Sequence, residues 1–321
     1  MAVQNSLVKT EKKGITAYLN SEKVLGNIEQ ALGSNNKQRF ITGVISAVNN
    51  NAALQECTNQ SILAGALLGE TLQLSPSPQL GHYYLVPFKD KDKGKVAQFQ
   101  LGYKGYIQLA IRSGQYKKLN VLAIKKGELE YFDPLNEEIK INLMVDKWDE
   151  REEAETIGYY AMFELVNGFK KAIYWSKKQM LSHADKYSPA FSKNETTVKT
   201  QYGEKKKVSF DDFEAGKYDT KDAWLYSSFW YKNFDGMAYK TMLRQLISKW
   251  GVMSIELQKA FENDMTFTDE QGNRNYIDND AEIIEAPVFE DSVVNPDVAS
   301  PEVVPTQKEG PTQDAAAALF G

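Results

Sequence analysis

Residues 83–113 read YYLVPFKDKDKGKVAQFQLGYKGYIQLAIRS, and the order of signals in them decides the fold class. Tyr83–Phe88 predicts a strand, Lys89–Lys95 (KDKDKGK) a charged turn, and Val96–Leu101 the returning strand. Gly102 breaks that pattern. From there Gly102–Ser113 predicts a helix with Tyr106, Leu109, Ala110 and Ser113 on one side, closed by Gly114. A hairpin feeding a helix, with no βαβ alternation around it, is an α+β signal.

Upstream of the hairpin the periodicity is helical. Val24, Leu25, Ile28 and Leu32 form an apolar stripe that Gly33 ends. A second helix is predicted over Lys37–Val48, and a third runs from Thr58/Asn59 to Leu72 with Gly65 and Gly69 on one face, a spacing that suits close helix packing. Residues 73–82 carry Pro76, Pro78 and Gly81 and read as a rigid loop. Downstream, Lys117–Lys125, Glu128–Phe132, Ile139–Val145, Ile157–Val166 and Phe169–Trp175 predict a strand meander, with Asn167-Gly168 as a tight hairpin turn. Ser176 is placed to cap a helix ending near Tyr187. Asp222–Gly251 and Ser254–Asn263 are helical again. Residues 188–221 are polar and Lys-rich and read as a long mobile loop. The domain reading is a loose arm (1–19), a body (20–263) with an insertion at 189–227, and an acidic disordered tail (264–321).

Charge sharpens this division. The 321 residues carry 38 Lys+Arg against 43 Asp+Glu, a net of -5. Residues 262–321 alone hold 14 acids and only Arg274 and Lys308 as bases, so residues 1–261 form a basic body with a net of +7. That asymmetry points to a polyanionic partner. The single cysteine, Cys57, cannot form an internal disulfide, which favours a reducing, cytoplasmic setting. No run approaches the ~18–20 apolar residues that span a bilayer.

Much chemistry is excluded by what the sequence lacks. Gly94-Lys95 and Gly216-Lys217 are not followed by Ser or Thr, so no P-loop is present, and no G-x-G-x-x-G occurs. Two histidines, His82 and His183, and one cysteine cannot build a zinc site of the Cys/His type. No nucleophile elbow is found. The reading is of a non-enzyme without a cofactor. Glu128, Glu130 and Asp133 keep open an alternative, a Mg-dependent nuclease, although an exposed strand face explains them as well. Residues 128–164 carry 12 acids against 3 bases, which repels phosphate and suits solvent or a neighbouring subunit's basic surface.

Two basic segments laced with aromatics remain. In the first, Gln98, Gln100, Tyr103, Lys104, Tyr106, Arg112, Lys117 and Lys118 are the candidate DNA-binding residues. A helix N-terminus offers N–H donors to phosphate, Gly102 and Gly105 would let a backbone come close, and the tyrosines could stack on bases. In the second, SFWYKNFDGMAYKTMLRQLISKWG (228–251), Lys232, Lys240, Arg244 and Lys249 form a cationic stripe. Trp230, Phe234, Met237, Leu243 and Ile247 form the opposite, buried one. With Asp235 as the lone acid in that stretch, exchanging Lys240 and Arg244 for Glu is expected to abolish the annealing of DNA strands while leaving the circular dichroism unchanged. Basic grooves with interleaved rings suit single strands, through counterion release and stacking.

At these segments the chain resembles the RecT family of phage and prophage single-strand annealing proteins. The blocks that carry the resemblance are Ser61–Phe88, Phe99–Tyr116 (FQLGYKGYIQLAIRSGQY), Ile157–Ser188 and Trp230–Leu257 (WYKNFDGMAYKTMLRQLISKWGVMSIEL), together spanning about residues 20–261. The resemblance implies ATP-independent annealing of complementary DNA strands and assembly into rings or helical filaments. It also implies a phage 5′→3′ exonuclease as partner, and host single-strand-binding protein is a further candidate. The implied fold is similar to the wider annealing superfamily that includes phage Red beta: an antiparallel hairpin and meander sheet packed with helices around a basic DNA groove. A protective single-strand binder that does not anneal, and a self-assembling structural protein, are the other readings kept open.

Overall fold

In a computed structural model of the chain, residues 14–77, 79–90, 94–188, 190–200, 203–264, 266–268 and 274–276 are described. The chain divides into two units, Met1–Ala281 and Glu282–Gly321, and every described residue falls in the first. The sequence expectations for residues 1–13 and 277–321 lie outside the described residues.

Helices come first, as the periodicity requires: α1 (Ile15–Leu19), α2 (Glu22–Leu32), α3 (Ser34–Asn49), α4 (Ala52–Gln55) and α5 (Asn59–Thr71). Val24 and Ile28 on α2 and Phe40, Ile41, Val44 and Val48 on α3 are buried, the i, i+4 face that amphipathic spacing predicts. Gly33, at φ +75°, separates α2 from α3 with a backbone angle that L side chains rarely adopt. The loose arm read over 1–19 is corrected at its end. Ile15 and Leu19 are buried, so the body starts inside that arm.

The hairpin follows as β1 (Tyr83–Asp90) and β2 (Gly94–Leu101), antiparallel, with Tyr83 opposite Leu101 and Leu85 opposite Phe99. Alternation then assigns its two faces. Tyr83, Leu85, Ala97, Phe99 and Leu101 point into the core; Tyr84, Val86, Gln98 and Gln100 point the other way. Gly65 and Gly69 do permit close packing, but against this sheet rather than a helix. A Cβ on Gly65 would lie 2.7 Å from Leu85 Cδ2, and one on Gly69 would enter the Tyr83 ring.

Next come α6 (Tyr103–Arg112), β3 (Tyr116–Lys125), β4 (Leu129–Asp133), β5 (Glu138–Ile141), α7 (Trp148–Glu153), β6 (Thr156–Leu165), β7 (Lys170–Ser176) and α8 (Lys177–Tyr187). Ser176 and Gln179 form a capping box at α8. β3, β6 and β7 make a three-stranded antiparallel sheet, while β4 and β5 form a separate hairpin. The architecture is α+β with small antiparallel sheets, as the opening stretch indicates.

Residues 188–221 are not the loop that their polarity suggests. They hold β8 (Thr196–Thr200), β9 (Gly203–Lys207) and α9 (Phe210–Glu214), followed by a 3-10 turn at Thr220–Tyr226 and α10 (Phe229–Lys232). Phe191 and Phe210 are buried against Tyr231 and Phe234, so a few rings anchor a segment in which many of the other described residues face water. Lys207 is buried here too. Its Nζ donates to Ala190 O at 2.8 Å and sits 4.7 Å from the Tyr231 ring centre. Burial pushes its ammonium down to about 8. The unfolded chain therefore holds that proton more tightly, and stability rises as pH climbs from about 8 towards the unfolded value near ~10.4. Urea titrations should show this rise in the wild type relative to Lys207→Met; parallel curves for the two proteins would refute it.

α11 (Phe234–Trp250) and α12 (Ile255–Asn263) complete the body, and β10 (Thr266–Thr268), paired with β11 (Arg274–Tyr276), extends the β1–β2 sheet alongside β2. α11 carries apolar side chains on two faces. Leu243 and Ile247 join the core of α1–α6, and Ala238, Met242 and Leu246 join the core beneath β3–β6–β7. A helix with two apolar faces packs between two layers, and α11 is the spine between the two cores.

Candidate nucleic-acid interface

The FQLGYKG segment turns from β2 into α6. Gly102 N–H donates to His82 O at 2.9 Å, so the loop before β1 crosses directly over the start of α6. A Cβ on Gly102 would collide with the carbonyl oxygen of Gly81, and one on Gly105 with that of His82. The sequence suggests these glycines make room for a nucleic-acid backbone; it is the chain's own backbone that occupies the space. Gly105→Ala should therefore cost about 2 kcal/mol or more by overpacking, although alanine is the better helix former by roughly 1 kcal/mol. A denaturation midpoint at or above that of the wild type would contradict this.

Around that crossing lies an open cluster. Lys104 is exposed, with its aliphatic stem over Gly81. Tyr103 is half-buried and meets the Tyr239 ring edge-on at 5.5 Å. On the outer face of the hairpin, Gln100 donates to Gln98 Oε1 at 2.7 Å, and Tyr84 stands opposite Gln100 in register. Tyr84 lies 5.9 Å from Phe229 on α10, one helical turn before the exposed Lys232. Neither Lys104 nor Lys232 has a carboxylate partner among the described residues. Gln98 is only 3% exposed, so within this cluster it supports Gln100 rather than presenting itself to solvent. Sequence reading misses Tyr84, Phe229 and Tyr239. The alternation of β1 marks Tyr84 as outward, but nothing in the sequence places α10 or Tyr239 beside it.

The rest of the candidate set is not brought together here. Lys240, Arg244 and Tyr106 surround Asp264, a residue that the sequence assigns to the disordered tail. Asp264 is 1% exposed, and four groups donate to its carboxylate: Leu101 N–H at 2.8 Å, Tyr106 OH at 2.9 Å, and Lys240 Nζ and Arg244 Nη1 each at 3.0 Å. Lys240 is 7% exposed and Tyr106 fully buried, edge-on to Phe261. Burial, with the negative Asp264 beside it, pushes the Tyr106 phenol well above its usual range. In the described structure Lys240 and Arg244 of the α11 stripe are thus turned inward while Lys249 stays exposed, and Tyr106 is a core ring with no face open to a base. Arg112 is exposed but is engaged by the chain. Its guanidinium donates to the Leu72 and Gln73 carbonyls, capping the end of α5.

Lys117 and Lys118 lie at the far end of α6, a helix about 15 Å long, and share the buried carboxylate of Glu164 with Lys170 at 2.7, 3.7 and 3.6 Å. Lys249 is near the Trp250 ring at 5.9 Å, at the same end of the β3–β6–β7 sheet as these lysines. The candidate residues therefore fall into an open cluster at the hairpin, a buried network on Asp264, a helix cap, and a basic patch at one end of the sheet.

The acidic alternative fares differently. Glu128 is fully buried. Burial works against its ionisation, but the Arg151 guanidinium at 2.6 Å and the N–H groups of Lys125 and Met144 outweigh that and hold its carboxyl below the usual range. Glu130 pairs with Lys140, and Asp133 accepts from Leu135 and Asn136. These carboxylates are engaged by the chain itself, and no cluster of three or more His, Cys, Asp or Glu suited to a metal occurs among the described residues. No helix among them is long and apolar enough to cross a membrane.

Comparison with known proteins gives independent support. The sequence model of the RecT family matches residues 38–278, which include the hairpin, α6, the β3–β6–β7 sheet, α11 and Asp264. The uncharacterized protein YqaK of Bacillus subtilis is 36% identical over 274 residues, covering 83% of this chain and 80% of its own length. Protein RecT of Escherichia coli is 25% identical over 260 residues, covering 78% and 80%. With a family match over most of the folded body and a relative at this identity, the chain belongs to the RecT family.

Proposed function

We propose that this chain binds single-stranded DNA and anneals complementary strands in recombination, without ATP and as a ring or helical filament of identical subunits. Family membership supports the annealing reading. The observation that carries it to particular residues is the open cluster of Lys104, Tyr103, Gln100, Tyr84 and Lys232, where cations without a described carboxylate partner lie beside half-exposed rings at one sheet surface. Pairing is downhill by on the order of 1.4 kcal/mol per stacked step. What the protein must do is lower the repulsion between two polyanions and hold bases unstacked from one another. Lysines release counterions from phosphate, and rings offer stacking surfaces that tolerate any base. A phage-type 5′→3′ exonuclease would supply the strand, and host single-strand-binding protein would be the competitor or partner on it.

The test is to mix the protein with one labelled strand, then with its complement or an unrelated strand, without nucleotide or metal. Accelerated duplex formation with the complement alone is the expected result. Protection of the strand with no acceleration would sink annealing and leave a single-strand binder.

A further inference from the structure

The β3–β6–β7 sheet has two chemically opposite ends. β3 and β6 are ten-residue antiparallel strands, so their ends lie about 30 Å apart. At one end, the start of β3, the β6–β7 turn and the end of α11 come together. Tyr116 OH donates to Val252 O at 2.8 Å, Val166 N–H donates to Gln115 O, and Lys171 lies over the Trp250 ring. Residues 115–118, 164–171 and 249–252 there carry five lysines against Glu164, with Glu137 of the β4–β5 turn paired to Lys171, so the end keeps a net positive charge. Val166 is 61% exposed and Phe169 46%.

At the other end, α7 and the segment leading into it are tied to the close of β3. Arg151 Nη2 donates to Ala123 O, Lys125 Nζ to Ala154 O, and Lys126 N–H to Glu155 O. Residues 125–128 and 142–155 hold seven acids against four bases. Val145 is 63% exposed and Trp148 55%, with Asp146, Asp149 and Glu150 beside them. Each end thus pairs an exposed apolar knob with a charged rim, and the two rims have opposite sign. Exposed apolar side chains are common on any surface; what sets these two ends apart is the opposite sign of the charge around them.

We propose that these ends dock on each other between copies of the chain. The Val145/Trp148 end of one subunit would sit on the Val166/Phe169 end of the next, its acids facing the neighbour's lysines. The occupant is a second copy because the complement of each surface, in both charge and apolar character, is present about 30 Å away on the same molecule. Such a contact is heterologous, and repetition propagates it into a ring or a helix. The proposal rests on the self-assembly part of the function proposed above and names the surfaces that perform it.

A complementation experiment tests it. Val145→Lys with Trp148→Lys disables one end; Val166→Glu with Phe169→Glu disables the other. Full-length proteins are compared by light scattering, with and without a single-stranded oligonucleotide. The wild type should assemble, and less so at high salt. Each variant alone should run as a monomer with unchanged circular dichroism, and an equimolar mixture should give a dimer, since one intact end of each kind remains. A wild type that stays monomeric with and without DNA overturns the proposal. So do folded variants that assemble as the wild type does, and a mixture that stays monomeric. Oligonucleotide binding by the monomeric variants reads the DNA function separately: variants that fail to assemble but still bind leave that function standing, and a wild type that assembles but never anneals defeats only the annealing reading.

Discussion

Asp264→Ala should cost the protein about 3–5 kcal/mol of stability, the penalty for leaving buried cations without their counter-charge. The carboxylate is almost fully enclosed, and its four donors come from β2, α6 and α11. Removing it takes a carboxylate from the ammonium of Lys240, itself 7% exposed, and from one side of Arg244. It also orphans Leu101 N–H and frees the end of α12 from the sheet. Urea denaturation with an unchanged slope should show the loss as a lower midpoint. Adding Lys240→Met to Asp264→Ala should recover part of it, because an apolar side chain of similar length no longer needs a counter-charge. A single variant within about 0.5 kcal/mol of wild type would mean that the network is dispensable. The same geometry reverses the expectation for Lys240→Glu with Arg244→Glu. Those exchanges would gather three carboxylates in one buried spot, so lost annealing would report a lost fold.

Lys104→Glu combined with Lys232→Glu should do the opposite: leave the denaturation midpoint unchanged and strip single-strand binding. Both side chains are exposed and have no carboxylate partner among the described residues, so reversing them breaks no internal contact. If each meets one phosphate, the slope of log affinity against log salt should fall by about 1.4, and affinity at low salt roughly 10- to 100-fold. Fluorescence anisotropy over a salt series measures both quantities. A folded double variant that keeps the wild-type slope would move the DNA site elsewhere, most directly to the lysines around Glu164.

The elements themselves were largely legible. Period-2 alternation around a charged turn identifies the β1–β2 hairpin, 3.6-residue spacing identifies α2, α3 and α5, and Asn167-Gly168 marks the β6–β7 turn, because each of these signals is local. The segment over 188–221 was not legible. Its polar residues outnumber the few rings that anchor it, and only the position of α10 and α11 shows that Phe191 and Phe210 have a core to enter.

By itself the sequence determined the basic body, the α+β order and the FQLGYKG junction, together with the family that these motifs resemble and the comparisons confirm. Tertiary structure decided which cations are available. Lys104 and Arg244 look alike in a sequence, one after a glycine and one on a helix stripe, yet the first faces water and the second meets Asp264 twenty residues further on. Net charge is a sum over residues, whereas binding depends on which charges stay uncompensated. Compensation is set by pairs brought within about 3 Å, and Asp264 reaches Tyr106 and Leu101 across more than 150 residues of chain only once β2, α6, α11 and α12 have packed.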